Sequence, residues 1–407
     1  MKTNFQTKKL SEICDIFVDG DWIEKKDQSL EGIRLVQTGN VGNGFFKDRE
    51  EKSRYISEKT FKRLRCTEIL PDDCLISRLP DPVGRACIIP RTGEKMITAV
   101  DCTIIRFNNV LLSQWFVNYS LSQEYQNQIN KEVGGATRQR ISRKSLGQIR
   151  IPLPLLPEQR RIVKILDEAF GAIAKVKENA EKNLQNAREL FESYLQSVFA
   201  KPGKDWDTER LEILTSKIGS GATPRGGKTS YKTEGISLIR SMNVHDRNFV
   251  EKNLAFIDDN QANDLSNVTL EKNDVLLNIT GASVARCCFF PEEYMPARVN
   301  QHVSIIRAKQ DMINSIFLSY LLTSRFYKNQ LLWIGEQGST RQAITKAQLE
   351  NFVISFPKSL SQQKSIVTKL DALSAETKKL EVIYRQKLAD LEELKKAVLK
   401  KAFAGEL

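Results

Sequence analysis

Two eight-residue stretches hold the side chains best suited to chemistry in this chain. Gly135-Ala136-Thr137-Arg138-Gln139-Arg140-Ile141-Ser142 is echoed 203 positions later by Gly338-Ser339-Thr340-Arg341-Gln342-Ala343-Ile344-Thr345. Glycine lets a backbone approach an anion closely, and hydroxyls and amides then hold it, so both loops suit phosphate contact. Arginine offers paired donors that match a guanine edge, while asparagine or glutamine offers a donor and an acceptor that match adenine. The chemistry such residues support is recognition of a nucleic acid. Polar residues beside short apolar runs complete the candidate set. In the first half these are Gln37, Asn40, Arg78 and Arg85, with Thr137, Arg138 and Gln139 on the loop; in the second, Arg240, Asn243, Asn278 and Arg286, with Thr340, Arg341 and Gln342. For Arg85 and Arg286 a structural ion pair is the competing expectation.

Sixty-two Lys and Arg stand against 50 Asp and Glu, a net charge of +12 that favours a polyanionic partner. Constellations for catalysis are missing. Gly221 to Thr229 superficially suggests a phosphate loop, but Ala222 stands where glycine is required and no apolar strand precedes it. Pro71-Asp72 lacks the acidic-x-Lys triplet that would complete a metal-dependent nuclease site. Asp81-Pro82 lacks the second proline and the aromatic of an amino-methyltransferase loop, and no G-x-G-x-x-G motif occurs. Two histidines, His245 and His302, leave few candidates for general acid-base work. Cys14, Cys66, Cys74, Cys87, Cys102, Cys287 and Cys288 show no C-x-x-C spacing, so buried free thiols are expected rather than zinc ligands or disulfides. No apolar run approaches the roughly 18 to 20 residues of a membrane span, and Met1 to Leu10 does not resemble a secretory signal. The expected location is the cytoplasm.

The elements that must position the candidates come twice. Ile33-Arg34-Leu35-Val36 with Asn40-Val41 recurs as Ile236-Ser237-Leu238-Ile239 with Asn243-Val244. Val83-Gly84-Arg85-Ala86-Cys87 matches Val284-Ala285-Arg286-Cys287-Cys288, and Ile104-Ile105-Arg106 matches Ile305-Ile306-Arg307. A long repeat of this kind sets the architecture before any local reading does. Residues 10–155 and 208–358 carry short β-rich runs broken by Pro, Gly, Asn and Asp, with more helical stretches at Leu111–Gln128 and Ile313–Leu331. After each comes a coiled-coil seam. The first runs Ile162, Leu166, Ala169, Ile173, Val176 and Ala180, then resumes one step late at Leu184, Ala187, Phe191, Tyr194 and Val198. The second runs Ile366, Leu370, Leu373, Thr377, Leu380, Tyr384, Leu388, Leu391 and Val398, with Lys395 in place of Phe191. Pro157 and Glu158 suit the first turn of one helix, and Ser361 is the expected cap of the other. Each helix of about 40 residues would be roughly 60 Å long. Neither buries its stripe alone, so antiparallel pairing is expected; the alternative is that each packs only on its own domain.

The run Pro152-Leu153-Pro154-Leu155-Leu156-Pro157-Glu158-Gln159-Arg160-Arg161-Ile162-Val163, preceded by the Gly-Ala-Thr-Arg loop, resembles the segment that closes a target-recognition domain and opens the spacer helix in type I restriction-modification specificity subunits. Gly221-Ala222-Thr223-Pro224 with Tyr231 resembles that family's opening of a recognition domain. The first half departs there, with Asp19-Gly20-Asp21-Trp22, and the second departs at Lys358-Ser359-Leu360-Ser361-Gln362-Gln363, which lacks the prolines and the glutamate. The resemblance implies an α/β (α+β) architecture: two target-recognition domains, residues 1–155 and 204–358, in a pseudo-two-fold arrangement. Long helices at 156–203 and 359–407 would form the antiparallel coiled coil. It also implies a non-catalytic subunit that recognises a bipartite sequence in double-stranded DNA, with two methyltransferase subunits and two restriction subunits as partners. No cofactor is expected in this chain; S-adenosylmethionine would belong to the methyltransferase, and ATP and Mg to the restriction subunit. A duplicated coiled-coil scaffold that binds protein or RNA is the competing reading.

Overall fold

The structure is a computed structural model that describes residues 5–135, 138–337 and 342–407, the side chain of Lys228 apart. It divides into two compact units, one of residues 1–181 and 386–407, the other of residues 182–385. Each unit therefore takes part of both long helices.

In the first unit β-branched and apolar runs that suit a pleated, buried surface form two small sheets. Strands β1 (Cys14–Asp19), β2 (Ile33–Val36), β3 (Cys74–Ser77), β4 (Ala86–Ile88), β5 (Met96–Thr98) and β6 (Cys102–Phe107) supply most of both. One sheet is antiparallel in the order β1-β6-β3-β4; in the other β2 pairs parallel with β5 and antiparallel with Tyr55–Ile56. Helices α1 (Ser113–Ser120) and α2 (Gln123–Glu132) cover the first sheet. The helical stretch expected over Leu111–Gln128 is thus two helices, because Ser122 caps the second through a bond from Tyr125 N to its Oγ, 3.2 Å. Trp115, Phe116, Tyr119 and Tyr125 are fully buried under them. A short ladder between Thr7–Lys9 and Arg150–Pro152 brings the two ends of the domain together.

Helix α3 spans Leu156–Ala200. Beyond it the second unit repeats the plan with β7 (Thr215–Ser220), β8 (Ile236–Ile239), β9 (Asp274–Asn278), β10 (Cys287–Phe289), β11 (Ala297–Val299) and β12 (Val303–Ala308). Its antiparallel sheet runs β7-β12-β9-β10, and β8 pairs parallel with β11. Even the irregularity recurs: the register slips between Cys14 and Ile16 against β6, and between Thr215 and Lys217 against β12. The covering helices are α4 (Ser315–Thr323) and α5 (Arg325–Glu336), and α6 (Leu360–Phe403) is the second long helix.

Within each unit the long helices pack antiparallel. In the first, Arg161 donates to Leu407 O at 2.7 Å, Lys395 lies 5.0 Å over the Phe170 ring, and Lys177 pairs with Glu392 at 2.7 Å. In the second, Arg188 meets Glu381 at 3.2 Å. Leu399, Ala402 and Phe403 enter the core of the first unit, where Phe403 stands 4.8 Å from Trp115 and 5.0 Å from Tyr119. Phe191, Leu195 and Phe199 do the same in the second, with Phe199 5.4 Å from Phe317. This corrects the end of the first seam. Leu195 and Phe199 are the buried positions, while Tyr194 and Val198 are only half-buried, because the helix end faces a domain core rather than its partner helix. The expected cap moves too: α6 begins at Leu360, and the first helical bond runs from Gln363 N to Ser359 O, so Ser359 and not Ser361 occupies the cap position.

Candidate nucleic-acid interface

A buried frame, repeated bond for bond, carries the loops of both units. Asp73 accepts two bonds from Arg106 at 2.8 Å, and Asp274 accepts the same two from Arg307 at 2.8 Å. The Asp73 pair also raises the Arg106 guanidinium above its ordinary value, since the carboxylate favours the charged form. A turn is tied off equally in both copies. Asn40 Oδ1 accepts from Gln37 N (3.0 Å) and its Nδ2 donates to Lys47 O (3.0 Å); Asn243 Oδ1 accepts from Arg240 N (3.1 Å) and its Nδ2 donates to Val250 O (2.8 Å). At the root of the long helices Gln159 and Gln363 are both fully buried. Gln159 accepts from Leu112 N (2.9 Å) and donates to Val110 O and Pro154 O (2.8 Å each). Gln363 accepts from Asn314 N (2.7 Å) and donates to Met312 O (3.1 Å) and Pro357 O (2.9 Å). One amide thus locks each helix to its domain.

On this frame loops converge at one end of each unit. Arg78 N donates to Asp101 O (2.9 Å) and Ile141 N to Arg78 O (3.2 Å); in the second unit Ile279 N donates to His302 O (3.0 Å) and Ile344 N to Ile279 O (2.8 Å). The backbone plan is shared, yet the lining differs. The first unit holds ion pairs there: the buried Arg78 meets Asp19 at 3.4 Å, the exposed Arg140 meets Asp101 at 3.2 Å, and Thr103 donates to Asp19 at 3.1 Å. Burial pulls the Arg78 guanidinium below its ordinary value, partly offset by Asp19. The second unit presents hydroxyls, an amide and an imidazole. Thr223 donates to Gln301 Oε1, Gln301 Nε2 lies 3.2 Å from His302 Nε2, and His302 Nδ1 lies 2.5 Å from Thr280 Oγ1. The tautomer that satisfies both neighbours carries its proton on Nδ1.

Comparison with known proteins places this geometry. The family model for the type I restriction modification DNA specificity domain matches residues 2–184 and again 204–388. The chain belongs to that family. Among curated specificity proteins, the MjaVIII specificity subunit of a type I restriction enzyme from Methanocaldococcus jannaschii is 24% identical over 331 residues, which cover 77% of this chain and 75% of the relative. The fold is shared with the HsdS subunit from Thermoanaerobacter tengcongensis (TM-score 0.67, 20% identity, 99% of this chain and 97% of that one). A chain from work on complex assembly and conformational transition of the type I R-M system gives TM-score 0.77 at 20% identity, over 99% and 98% of the two chains.

In this specificity chain the sequence-derived candidates separate into three groups. Asn40 and Asn243 have both amide atoms engaged by backbone groups, Arg85 its donors by backbone carbonyls and Asn278 its Nδ2 by Ser241 O and Val244 O, so in place of the expected base contact these side chains hold loops in shape. Arg85 alone donates to Val41 O, Leu79 O, Pro82 O and Thr38 O, which replaces the expected ion pair with a cradle of carbonyls. Arg78 is 4% exposed, with Nη2 on Val100 O, and leans inward in the same way. Gln37, Arg138, Gln139, Arg240, Arg286 and Gln342 remain partly or fully exposed at loops, Arg240 lying 5.4 Å over the Tyr231 ring. Thr137, Thr340 and Arg341 lie outside the described residues.

Other candidate residues at these loop ends are not marked by the sequence reading. Arg49 and Lys52 line a cleft of about 280 Å³ with Gln37, Thr38, Gly39 and Asn40, and put two cations beside exposed amide and hydroxyl groups. Asp101, Arg140, Gln301, His302 and Thr280 were passed over as well. A signal for them existed: at Asp101 against His302 and Arg140 against Ala343 the repeat keeps its frame and changes its chemistry. All seven cysteines are unpaired thiols, and burial pushes Cys66 and Cys102 up to about 11 and Cys87 and Cys288 up to about 12. No helix of the described residues is long and apolar enough to cross a membrane.

Proposed function

We propose that this chain is a non-catalytic subunit that reads a bipartite sequence in double-stranded DNA, one half-site per unit, for a type I restriction-modification complex working in the cytoplasm. The observation that carries the reading is a frame repeated bond for bond under loop ends of different chemistry: ions around Arg78 and Arg140 in one unit, Thr223, Gln301, His302 and Thr280 in the other. Two domains built alike but lined differently suit two half-sites of different sequence. Side chains that reach base edges in the major groove would specify, and Arg49, Lys52 and Arg138 would hold phosphates. Two methyltransferase subunits that bind S-adenosylmethionine, and two restriction subunits that use ATP and Mg, would carry out the chemistry.

The long helices act in this reading as a spacer, because Gln159 and Gln363 fix each one rigidly at its root. Half-sites read from one face of the duplex lie about one turn, roughly 34 Å, apart. Removing one heptad from each helix shortens the rod by about 10 Å, or roughly three base pairs. The test is methylome sequencing of cells that carry the complex, with the full-length or the shortened chain. A bipartite motif with a fixed gap is expected, and a changed gap or lost modification for the shortened chain. An unchanged gap at an unchanged rate would refute the spacer; methylation with no sequence dependence would favour a protein or RNA scaffold instead.

A further inference from the structure

At one point the two units solve the same packing problem with different side chains. In the first, Arg85 reaches the carbonyls of Thr38 (Nη2, 2.8 Å) and Val41 (Nε, 2.7 Å). Their counterparts 203 positions on are Ser241 and Val244, and there the donor is Asn278, whose Nδ2 lies 2.9 Å from Ser241 O and 3.3 Å from Val244 O. Asn278 corresponds to Ser77: Ser77 N donates to Arg85 O (2.9 Å), and Asn278 N to Arg286 O (2.8 Å). The loop backbone is the same in both, with Gly84 at φ 82° and Ala285 at φ 64° just before the arginine. Arg286 therefore holds the position of Arg85 without its task. It is half-buried, and among the described residues no hydrogen bond or ion pair engages its guanidinium.

We infer that Arg286 is a specificity-determining residue of the second unit, which presents its donors to a guanine edge, while its counterpart Arg85 reads nothing. The inference rests on the proposed DNA-reading function. Five N–H donors partly withdrawn from water call for acceptors, and guanine O6 and N7 offer two at the spacing of the guanidinium fork. The site is also placed for it. Gly281 N, at the start of the same loop, donates to Gln342 O (3.0 Å), and Thr280 is bridged to Ala343, so Arg286 belongs to the loop that is bonded to Gln342 and Ala343.

The test uses the full chain with the methyltransferase subunit of its system and a pool of DNA duplexes with a randomised core, the bound fraction being sequenced. Arg286→Ala should relax one guanine position in one half of the motif by about tenfold or more, leave the other half intact and leave the melting temperature unchanged. Arg286→Lys should relax the same position. Arg85→Ala should do the opposite, lowering the melting temperature while the surviving complexes select the original motif. Three results would overturn the inference: an intact motif with Arg286→Ala, an equal loss of affinity for every sequence, or a fall in melting temperature like that of Arg85→Ala. A wild-type complex that selects no motif would overturn the DNA-reading function itself and this inference with it, whereas a wild-type motif that Arg286→Ala leaves intact overturns this inference alone.

Discussion

Replacing Gln159 by leucine should loosen the joint between the first domain and its long helix. The side chain is fully buried and makes three bonds, one accepted from Leu112 N and two donated to Val110 O and Pro154 O. Each bond contributes on the order of 1 kcal/mol net, so their joint loss costs about 3 kcal/mol, and the backbone groups left unpaired push the figure upward. For a unit of about 200 residues that corresponds to a fall in melting temperature of roughly 6–12 °C. Leucine keeps nearly the same volume, so Gln159→Leu separates bonding from packing, and Gln159→Ala adds the cavity. Calorimetry of the full chain is the assay, with Gln363→Leu as the same experiment in the second unit. The same variants, carried into cells with the complex, should blur the gap in the methylated motif. A Gln159→Leu chain within about 0.5 kcal/mol of the wild type, with the gap still sharp, would refute the idea that this amide locks the helix.

Three further outcomes follow from the packing and the titrations. Phe403→Ala removes a buried ring that contacts Trp115 and Tyr119, and should cost the first unit about 3–5 kcal/mol, measured by urea unfolding. Asn243→Ala, at a site with no exposure, should destabilise by about 2 kcal/mol; Asn40→Ala, half-buried, should cost closer to 1 kcal/mol in the same titration. Burial raises Cys87 from 9.0 to about 12, so the folded state keeps a proton that the unfolded chain gives up. That contribution is complete below pH 9 and shrinks as pH rises toward 12, by up to about 1.4 kcal/mol per pH unit per such thiol. Alkaline unfolding curves should flatten in Cys87→Ala, and rapid alkylation of native Cys87 at pH 8 would contradict the burial.

The repeat, the two seams and the β-rich domains were legible because each rests on periodicity or on self-similarity, which survive divergence of individual side chains. The roles of single polar residues were not. Asn40 and Asn243 sit beside strands in both copies, as base readers would, yet they close turns; a side chain that bonds to the backbone seven residues on leaves no mark in composition. Arg85 and Arg286 look equivalent in the sequence, and only the position of Asn278 against Ser77 tells them apart. Gln159 lies inside the motif that carries the family resemblance and Gln363 in the stretch that departs from it, and the sequence marks neither as a lock, since their partners, near residues 110–112 and 312–314, are remote in the chain.

The same distribution of bonds explains how one frame could serve two different recognition surfaces. The paired bonds to buried carboxylates, Asp73 with Arg106 and Asp274 with Arg307, lie at the base of β3 and β9, at the opposite end of those strands from the loops that differ. Breaking such a pair from one side strands a buried charge and costs about 3–5 kcal/mol, so its residues are held fixed in kind. At the loop ends the contacts of Arg140, Gln301 and Thr223 are exposed, where an ion pair or a hydrogen bond contributes about 1 kcal/mol or less. Substitutions there change what the surface presents at little cost to the fold. It follows that Arg140→Ala, which gives the first unit the residue found at 343 in the second (138 and 139 already match Arg341 and Gln342), should alter the selected motif while leaving unfolding nearly unchanged, and a large loss of stability on that substitution would mean that frame and surface are not separable.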